Sequence, residues 1–461
     1  MPSAVDLLEI QRLIDLYGHI LDERQFDRVG ELFTDDALYD VADFDSGVHR
    51  GAAAIGQLWT APEATHPLGH HATNTIITEG SDGTVRVVSK GMGVRPNGTV
   101  SSVLYRDVVV RTPAGWRICE RIATRRRRDA ADPKPPATRD ERGGLSLPAR
   151  VIPVPTSVSQ EAQQALAAPK FAPPARWPPP DDKAAWKRAV MEHDAAIASL
   201  FSGQPAFPGT IRARSVGPLR VFDLVPDEIP AEKRDRAILY VHGGGFVMGG
   251  GDLAAKAVQL MSARTATLAS AVDYRMPPDH PFPAAVEDVL ACYRDLLTRH
   301  APGKIAVLGV SAGGGLAAAG ILKARDLGLP LPGAAVLLTP EVDLTESGDT
   351  FETNQDIDTV LARRLTETIR LYANGHDLRD PYLSPLFGDF RGGFPPSLLI
   401  SGTRDLFLSN TVRLHRALRS AGMKADLHVF EAMPHGGFFG APEDAESAEE
   451  QRRFIDAALA G

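Results

Sequence analysis

The second half of the chain alternates between two kinds of hydrophobic pattern. Short apolar runs alternate with longer stretches in which apolar residues recur every three or four positions. The first kind is typical of a buried parallel strand, and the second of a helix that covers a sheet. The runs lie at 237–241, 269–272, 304–308, 334–338, 398–400 and 427–430. They predict a mostly parallel sheet with helices on both faces, an α/β fold.

The first 128 residues show a different order of elements. Apolar residues recur at helical spacing from Ile10 to Leu21, and a second short helix is expected from Phe26 to Phe33. Strand-like segments separated by Gly, Pro and Asn turns follow. They lie at 75–78, 84–88, 103–110 and 116–122. Helices followed by an antiparallel meander indicate a separate α+β domain.

The segment between these two regions has almost no apolar periodicity. Residues 129–155 are rich in Pro, Arg and Gly, which predicts a linker. The four arginines at 125–128 are interpreted as a solvated face rather than as a nucleic-acid contact. Residues 156–205 are predicted to be mainly helical and to form a cap. The predicted domains are therefore 1–128 and 156–461, with the cap at the start of the second.

The composition argues against several classes of protein. Fifty Lys and Arg against 58 Asp and Glu give a formal net charge of -8, which does not suit a broad nucleic-acid-binding surface. Cys119 and Cys292 cannot build a disulfide framework, and no CxxC or HExxH spacing offers a zinc site. We therefore expect neither a metal nor a cofactor. The start of the chain lacks the pattern of a signal peptide, and no apolar run is long enough for a bilayer, which predicts a cytoplasmic protein without a membrane span.

One motif in the second domain contains a candidate catalytic serine. Ser311 lies in the segment GVSAG at 309–313, directly after a predicted strand and before a helix of small residues. A nucleophile elbow requires this context, because the serine sits on a tight turn whose neighbours must be small. A GxSxG match in a chain rich in Gly and Ala can also be an ordinary strand-to-helix turn.

Two further residues favour catalysis at this serine. A serine hydroxyl is a poor nucleophile until an imidazole takes its proton, and that imidazole needs a carboxylate to fix its tautomer. Asp405 follows the predicted strand 398–400, and His435 follows the strand 427–430. Because the carboxyl ends of parallel strands share one crevice, Ser311, Asp405 and His435 can converge there. The sequence predicts a catalytic triad in the chain order serine, acid, histidine.

A glycine-rich segment supplies candidate donors for an oxyanion. The segment HGGGF at 242–246 follows the predicted strand 237–241. Consecutive glycines expose backbone N–H groups that can point at a developing oxyanion, although a glycine-rich turn need not be catalytic. The candidate oxyanion hole consists of Gly243, Gly244, Gly245 and Ala312.

These motifs together resemble the hormone-sensitive-lipase family of bacterial α/β-hydrolase esterases. The likeness runs from about residue 155 to 461 and includes HGGGF, DYR at 273–275, DHPFPAA at 279–285, GVSAGG at 309–314, Asp405 and His435. The resemblance implies a serine hydrolase that acts on small carboxylic esters of short to medium acyl chains, with lactones and aryl esters left open. It also implies a helical cap that shapes the acyl pocket.

Two positions depart from that family. Val310 stands where the family often has Asp or Thr, and Glu341 stands where it often has Trp. A carboxylate at the mouth of the pocket could disfavour anionic substrates or hold a basic group. We interpret Glu341 instead as a surface or salt-bridged residue.

The front domain resembles the SnoaL-like branch of the NTF2-like superfamily, a cone-shaped α+β fold around a pocket. The segments at 10–11, 21–24, 33–37 and 70–74 carry the likeness. The resemblance implies a second site in which Asp22 pairs with His70 and Tyr17 lines the pocket. A His polarised by a buried Asp is a suitable general base, which would make the chain bifunctional, with dehydratase or isomerase activity. Alternatively, the domain only binds a ligand, forms a homodimer or supports the second domain.

Overall fold

The structure, a computed structural model, describes residues 2–61, 66–95, 99–126, 138–139, 144–147, 151–168, 177–200 and 209–460. The chain divides into two compact units, Met1–Arg150 and Val151–Gly461. Most of the predicted linker at 129–155, part of the predicted cap and the turn at 96–98 lie outside the described residues. Among the helices that are described, none is both long and apolar enough to cross a membrane.

The described residues of the first unit form a six-stranded sheet and two α-helices. Its elements are α1 (Ala4–Asp22), β1 (Phe33–Asp40), β2 (Val48–Arg50), α2 (Ala52–Thr60), β3 (Gly69–Glu79), β4 (Val85–Val94), β5 (Val100–Thr112) and β6 (Gly115–Arg125), followed by a separate two-stranded ladder of β7 (Thr138–Arg139) and β8 (Leu145–Ser146). The strand order is β2-β1-β6-β5-β4-β3. Strands β3 to β6 form the expected antiparallel meander, whereas β1 pairs with β6 in parallel.

Helix α1 begins and packs as its sequence predicts. Ser3 caps it, and the side chain of Asp6 bonds back to the Ser3 N–H in a capping box. Its apolar face, which includes Ile10 and Ile14, is buried against the sheet. The prediction of a helix at 26–33 was wrong in part. A 3-10 helix spans Phe26–Glu31, and Phe33 begins β1, where Phe33, Ala37 and Tyr39 turn into the core.

The second unit is the expected α/β structure. Its elements are α3 (Gln160–Ala167), α4 (Lys183–Leu200), β9 (Thr210–Val216), β10 (Leu219–Val225), β11 (Ala237–Val241), α5 (Asp252–Thr265), β12 (Leu268–Asp273), α6 (Ala284–Leu297), β13 (Ile305–Val310), α7 (Ala312–Asp326), β14 (Ala334–Leu338), α8 (Thr350–Thr353), α9 (Thr366–Ala373), β15 (Ser397–Gly402), α10 (Leu408–Ser420), β16 (Ala425–Phe430) and α11 (Pro442–Ala460). The strand order is β16-β15-β14-β13-β11-β12-β10-β9.

Strand direction within this sheet decides where the loops lie. The strands from β16 to β12 are parallel, so the segments that follow β11, β13, β15 and β16 emerge at one edge. The central strands β11 and β13 to β15 are almost entirely buried, as their apolar runs predict. The antiparallel hairpin β9–β10 at the edge of the sheet was not predicted.

Two helices of the predicted cap pack against segments that leave that edge, α3 against residues after β16 and α4 against residues after β11. In α4, Trp186 stacks on Trp177 with ring centroids 4.8 Å apart, and both rings pack against Val247 and Met248. Asp194 accepts a hydrogen bond of 3.0 Å from the N–H of Gly249. Helix α4 is therefore anchored to the segment that follows β11.

Candidate active site

Ser311 occupies the turn between β13 and α7 with φ 57° and ψ -127°, a conformation that residues with a side chain rarely adopt. The turn is tight because its neighbours lack side chains. A Cβ on Gly309 would lie 2.2 Å from the carbonyl oxygen of Gly313, and a Cβ on Gly313 would lie 2.2 Å from that of Val241. This is the geometry of a nucleophile elbow.

Ser311, His435 and Asp405 lie in one hydrogen-bonded chain. The Nε2 atom of His435 is 2.8 Å from the Oγ of Ser311, and its Nδ1 is 2.9 Å from Oδ1 of Asp405. The three residues are 8%, 7% and 0% exposed, respectively. The structure thus brings together three side chains that follow β13, β16 and β15, as the sequence predicts. An imidazole between a hydroxyl and a carboxylate can act as a general base.

The carboxylate of Asp405 is held by its own loop. The hydroxyl of Ser401 in β15 donates a hydrogen bond of 2.5 Å to Oδ2, and the N–H of Phe407 donates one of 2.9 Å to Oδ1. The side-chain amide of Asn354 donates to the carbonyl oxygen of Asp405 at 2.9 Å. These bonds fix the orientation of the acid and leave Oδ1 directed at His435.

A second buried acid at this site was missed from the sequence. Asp358, between α8 and α9, is fully buried and accepts hydrogen bonds from the backbone N–H groups of Leu406 and His435. Its sequence neighbourhood carries no motif, so only the folded chain reveals it. Potential ligand atoms of Asp358, Asp405 and His435 lie within 4.8 Å of one another, a spacing that could hold a metal ion. The carboxylate oxygens and Nδ1 already take part in hydrogen bonds, which suits a hydrogen-bonding role better.

The electrostatics of His435 follow from these two acids. Burial lowers the pKa of an imidazole, but the hydrogen bond and charge of Asp405, together with the charge of Asp358, outweigh it. The pKa of His435 therefore lies above its ordinary value of 6.5. Burial also raises the pKa of Asp358.

The glycine segment after β11 approaches the serine closely. A Cβ on Gly243 would lie 3.1 Å from the Cβ of Ser311, and one on Gly244 would lie 2.1 Å from the carbonyl oxygen of Met248. Gly244 and Gly245 have φ values of +119° and +57°. In the described part of the chain, the N–H groups of Gly244, Gly245 and Ala312 have no hydrogen-bond acceptor. Such donors beside a nucleophile can stabilise an oxyanion.

His242 supports this segment and takes no part in the triad. Its ring stacks on Tyr274 with centroids 4.1 Å apart, and its Nδ1 lies 2.7 Å from the carbonyl oxygen of Gly243. The hydroxyl of Tyr274 donates to the carbonyl oxygen of His242 at 3.1 Å. Burial lowers the pKa of His242 to about 4, so the ring is neutral and acts as scaffold.

The interpretation of Glu341 as a surface or salt-bridged residue was wrong. Glu341 follows β14 and is fully buried, and among the described residues neither of its carboxyl oxygens has a hydrogen-bond partner. Burial raises its pKa well above the ordinary value of 4.5, which disfavours the charged carboxylate. Its backbone N–H donates to the carbonyl oxygen of Ser311 at 3.0 Å and helps to hold the elbow.

The first unit places the three residues of the predicted second site together. The Nδ1 of His70 lies 2.6 Å from Oδ1 of Asp22, and the ring of His70 meets that of Tyr17 edge-on at 6.2 Å. Burial lowers the pKa of His70, against the effect of Asp22. A buried ion pair that the sequence did not suggest lies beside them. Arg121 bonds Asp107 through two contacts of 2.7 Å, and its guanidinium lies 4.2 Å from the ring centroid of Tyr17.

Comparisons with known proteins agree with both units. A family model of the α/β-hydrolase fold matches residues 238–439, and a model of the SnoaL-like domain matches residues 2–122. An acetyl-hydrolase of Streptomyces hygroscopicus is 38% identical over 211 residues, which are 44% of this chain and 68% of that protein. The esterase LipI of Mycobacterium tuberculosis is 30% identical over 242 residues, 50% of this chain and 75% of that protein.

Solved structures give the same assignment for the second unit. The crystal structure of an esterase superposes with a TM-score of 0.62 at 33% identity and covers 68% of this chain and 98% of that one. A hormone-sensitive lipase from a metagenome library superposes with a TM-score of 0.55 at 29% identity, covering 63% of this chain and all of that one. The chain is an esterase of the hormone-sensitive-lipase-like family of α/β hydrolases, and it carries a SnoaL-like domain in front of its hydrolase domain.

Proposed function

We propose that this esterase uses Ser311, His435 and Asp405 as its catalytic triad and hydrolyses small carboxylic esters of short to medium acyl chains. The observation that carries the proposal is the hydrogen-bonded chain from Ser311 through His435 to Asp405. The names of the similar proteins, esterase and acetyl-hydrolase, support the ester as substrate class and a short acyl group. Lactones and aryl esters fit the same chemistry.

The proposed reaction passes through an acyl-enzyme. The Oγ of Ser311 attacks the ester carbonyl while Nε2 of His435 takes the hydroxyl proton, and that proton then passes to the leaving alkoxide. A water molecule, deprotonated by the same nitrogen, attacks the acyl-enzyme. The bond from the acyl carbon to Oγ of Ser311 then breaks, Oγ takes the proton back from Nε2, and the acid is released. Asp405 keeps Nδ1 protonated and stabilises the imidazolium between these steps.

The amides of the glycine segment and of Ala312 would hold the oxyanion. At Gly243 the segment runs so close to Ser311 that a Cβ there would lie 3.1 Å from that of the serine. The N–H groups of Gly244, Gly245 and Ala312, which have no acceptor among the described residues, are the proposed donors. They need no reorganisation when the charge develops, which is why such donors lower the barrier. The triad uses no metal or cofactor in this proposal.

The pH dependence of hydrolysis tests the role of His435. The imidazole must be neutral to accept the proton of Ser311, and its pKa is raised. We therefore expect kcat/KM to fall as the pH decreases through a value above the 6.5 of an ordinary histidine. A pH-stat assay with ethyl butyrate, on protein shown to stay folded at each pH, measures this limb. Activity that stays constant well below pH 6.5 would contradict the assignment of His435 as the base.

We also propose a second candidate function, a lyase or isomerase site in the SnoaL-like domain. The distance of 2.6 Å between His70 and Asp22 supports it, since an imidazole oriented by a carboxylate can remove a proton next to a carbonyl group. The lowered pKa of His70 keeps this base neutral near pH 7. Nothing in the site identifies its substrate.

Proton exchange offers a test that does not require the natural substrate. A panel of ketones and β-hydroxy carbonyl compounds is incubated in D₂O with the Ser311→Ala chain, so that ester hydrolysis does not interfere. NMR measures the rate of enzyme-dependent exchange at the α carbon. We expect this rate to fall by about 10²-fold or more when the His70→Ala substitution is added. Equal exchange by the two chains would instead favour a domain that only binds or dimerises.

A further inference from the structure

We propose that Asp358 is a positioning residue of the hydrolase site, a second acid that fixes the loop bearing His435 and places a negative charge beside its ring. This inference rests on the proposed triad. It assigns a role to a carboxylate outside the triad and outside the sequence motifs.

The contacts of Asp358 join three separate segments of the chain. Within its own loop, Oδ1 accepts the N–H groups of Val360 at 2.9 Å and Leu361 at 3.0 Å. Oδ2 accepts the N–H of Leu406 at 2.8 Å. The N–H of His435 is shared between the two oxygens at 3.3 and 3.2 Å. One buried carboxylate thus holds the residue after Asp405 and the backbone of His435 itself.

This bridge bears on catalysis because the acid and the base of the triad lie on different loops. Asp405 follows β15 and His435 follows β16, so their separation of 2.9 Å depends on how the two loops are placed. Asn354, four residues before Asp358, donates to the carbonyl oxygens of Thr403 and Asp405 at 3.2 and 2.9 Å. The segment from Asn354 to Asp358 therefore braces both loops from one side. A misplacement of about 1 Å at such a site can cost 10²-fold in rate.

The charge of Asp358 acts on the same residue. Among the described residues, the titratable groups that face His435 are Asp405 after β15 and Asp358 before α9. The Ser311 hydroxyl and the ring of Phe407, centred 4.9 Å from that of His435, also lie close to it. Both acids favour the imidazolium that forms during acyl transfer. The hydrogen bonds that Asp358 accepts come from backbone N–H groups. Among the described contacts, no Lys or Arg neutralises its charge.

The test compares Asp358→Asn with wild type in the full chain. The neutral amide keeps the shape but removes the charge, and its NH₂ group would face a backbone N–H. We expect kcat per active site to fall about tenfold or more with KM within about twofold, and the acidic limb of kcat/KM to move about half a pH unit or more toward lower pH. Active sites are counted by titration with a fluorophosphonate, so a loss of folded protein does not affect the values.

A matched control and a second variant make the outcome decisive. Asp349→Asn removes the same charge from an exposed residue at the N-terminal end of α8, outside the bracing segment, and is expected to leave kcat and the acidic limb unchanged. Asp358→Glu keeps the charge on a longer side chain, so the acidic limb of kcat/KM should lie at the same pH as in wild type. The longer side chain cannot keep all of the amide contacts, so kcat should fall about fivefold or more. Asp358→Glu also carries the test if Asp358→Asn does not fold.

The outcomes separate this proposal from the proposed triad. An Asp358→Asn enzyme with the kcat and acidic limb of wild type would overturn the role of Asp358, as would a wild-type kcat for Asp358→Glu. A wild-type enzyme that hydrolyses esters without labelling of Ser311 by the fluorophosphonate would count against the triad instead. The two failures are read from different measurements.

Discussion

Replacement of Ser311 by alanine is expected to lower kcat for p-nitrophenyl acyl esters by about 10⁵-fold or more, the scale on which removal of a triad nucleophile acts in serine hydrolases. The physical reason is that Oγ of Ser311 lies 2.8 Å from Nε2 of His435, and no other hydroxyl among the described residues is hydrogen-bonded to that nitrogen. The amides beside the serine can still polarise a bound ester, so a small residual rate above the uncatalysed one is expected.

The measurement uses acyl chains from acetate to decanoate, on wild type and on Ser311→Ala. Ser420→Ala, at the exposed end of α10, is the control and should retain wild-type kcat/KM for every ester. The wild-type panel also reports the acyl preference, for which we expect a maximum at short to medium chains. Turnover by Ser311→Ala close to that of wild type would show that another nucleophile performs the reaction.

Replacement of Asp405 by asparagine is expected to cost about 10⁴-fold in kcat, the loss known for the corresponding change in a serine protease triad. An amide at this position can donate to Nδ1 of His435, which stabilises the tautomer that cannot accept the proton of Ser311. It also removes the carboxylate that stabilises the imidazolium. KM should change much less than kcat, because Asp405 is fully buried behind His435 and does not contact the substrate in the proposed reaction.

The control for this variant is Asp426→Asn, an exposed aspartate on β16, which should leave kcat and KM unchanged. Circular dichroism and active-site titration establish that the Asp405→Asn protein is folded. A loss of less than about tenfold would contradict the role of Asp405 as the principal acid. In that case Asp358, the other carboxylate close to His435, would be the candidate to replace it.

Local sequence patterns predicted those parts of the structure that depend on a few neighbouring residues. Apolar runs such as 237–241 predicted buried parallel strands, because only a strand covered on both faces tolerates so few polar residues. Small residues around Ser311 predicted a tight elbow, since any Cβ at Gly309 or Gly313 would collide with backbone. The resemblances to the α/β-hydrolase fold and to the SnoaL-like domain, each based on its own sequence motifs, are confirmed by the family models.

Sequence reasoning failed where the environment of a side chain is set by distant segments. Asp358 and Glu341 are both acidic residues in polar-looking stretches, and the neighbouring sequence does not show that their environments differ. In the fold, Asp358 meets the amides of Leu406 and His435, whereas Glu341 lies beneath the elbow without a partner in the described residues. Strand β1 was missed for a similar reason, because its parallel pairing with β6 joins residues far apart in the chain.

The sequence by itself determined the two domain types and the chain order of the strands that precede Ser311, Asp405 and His435. It also determined the chemical groups available at the ends of those strands. These properties follow from periodicity and from the small size of residues at turns, which act over a few positions. Only the tertiary structure decided which buried carboxylates reach His435, which of the described amides beside Ser311 have no acceptor, and that Glu341 is fully buried. Those features depend on desolvation and on contacts between segments up to 124 residues apart, which no local pattern encodes.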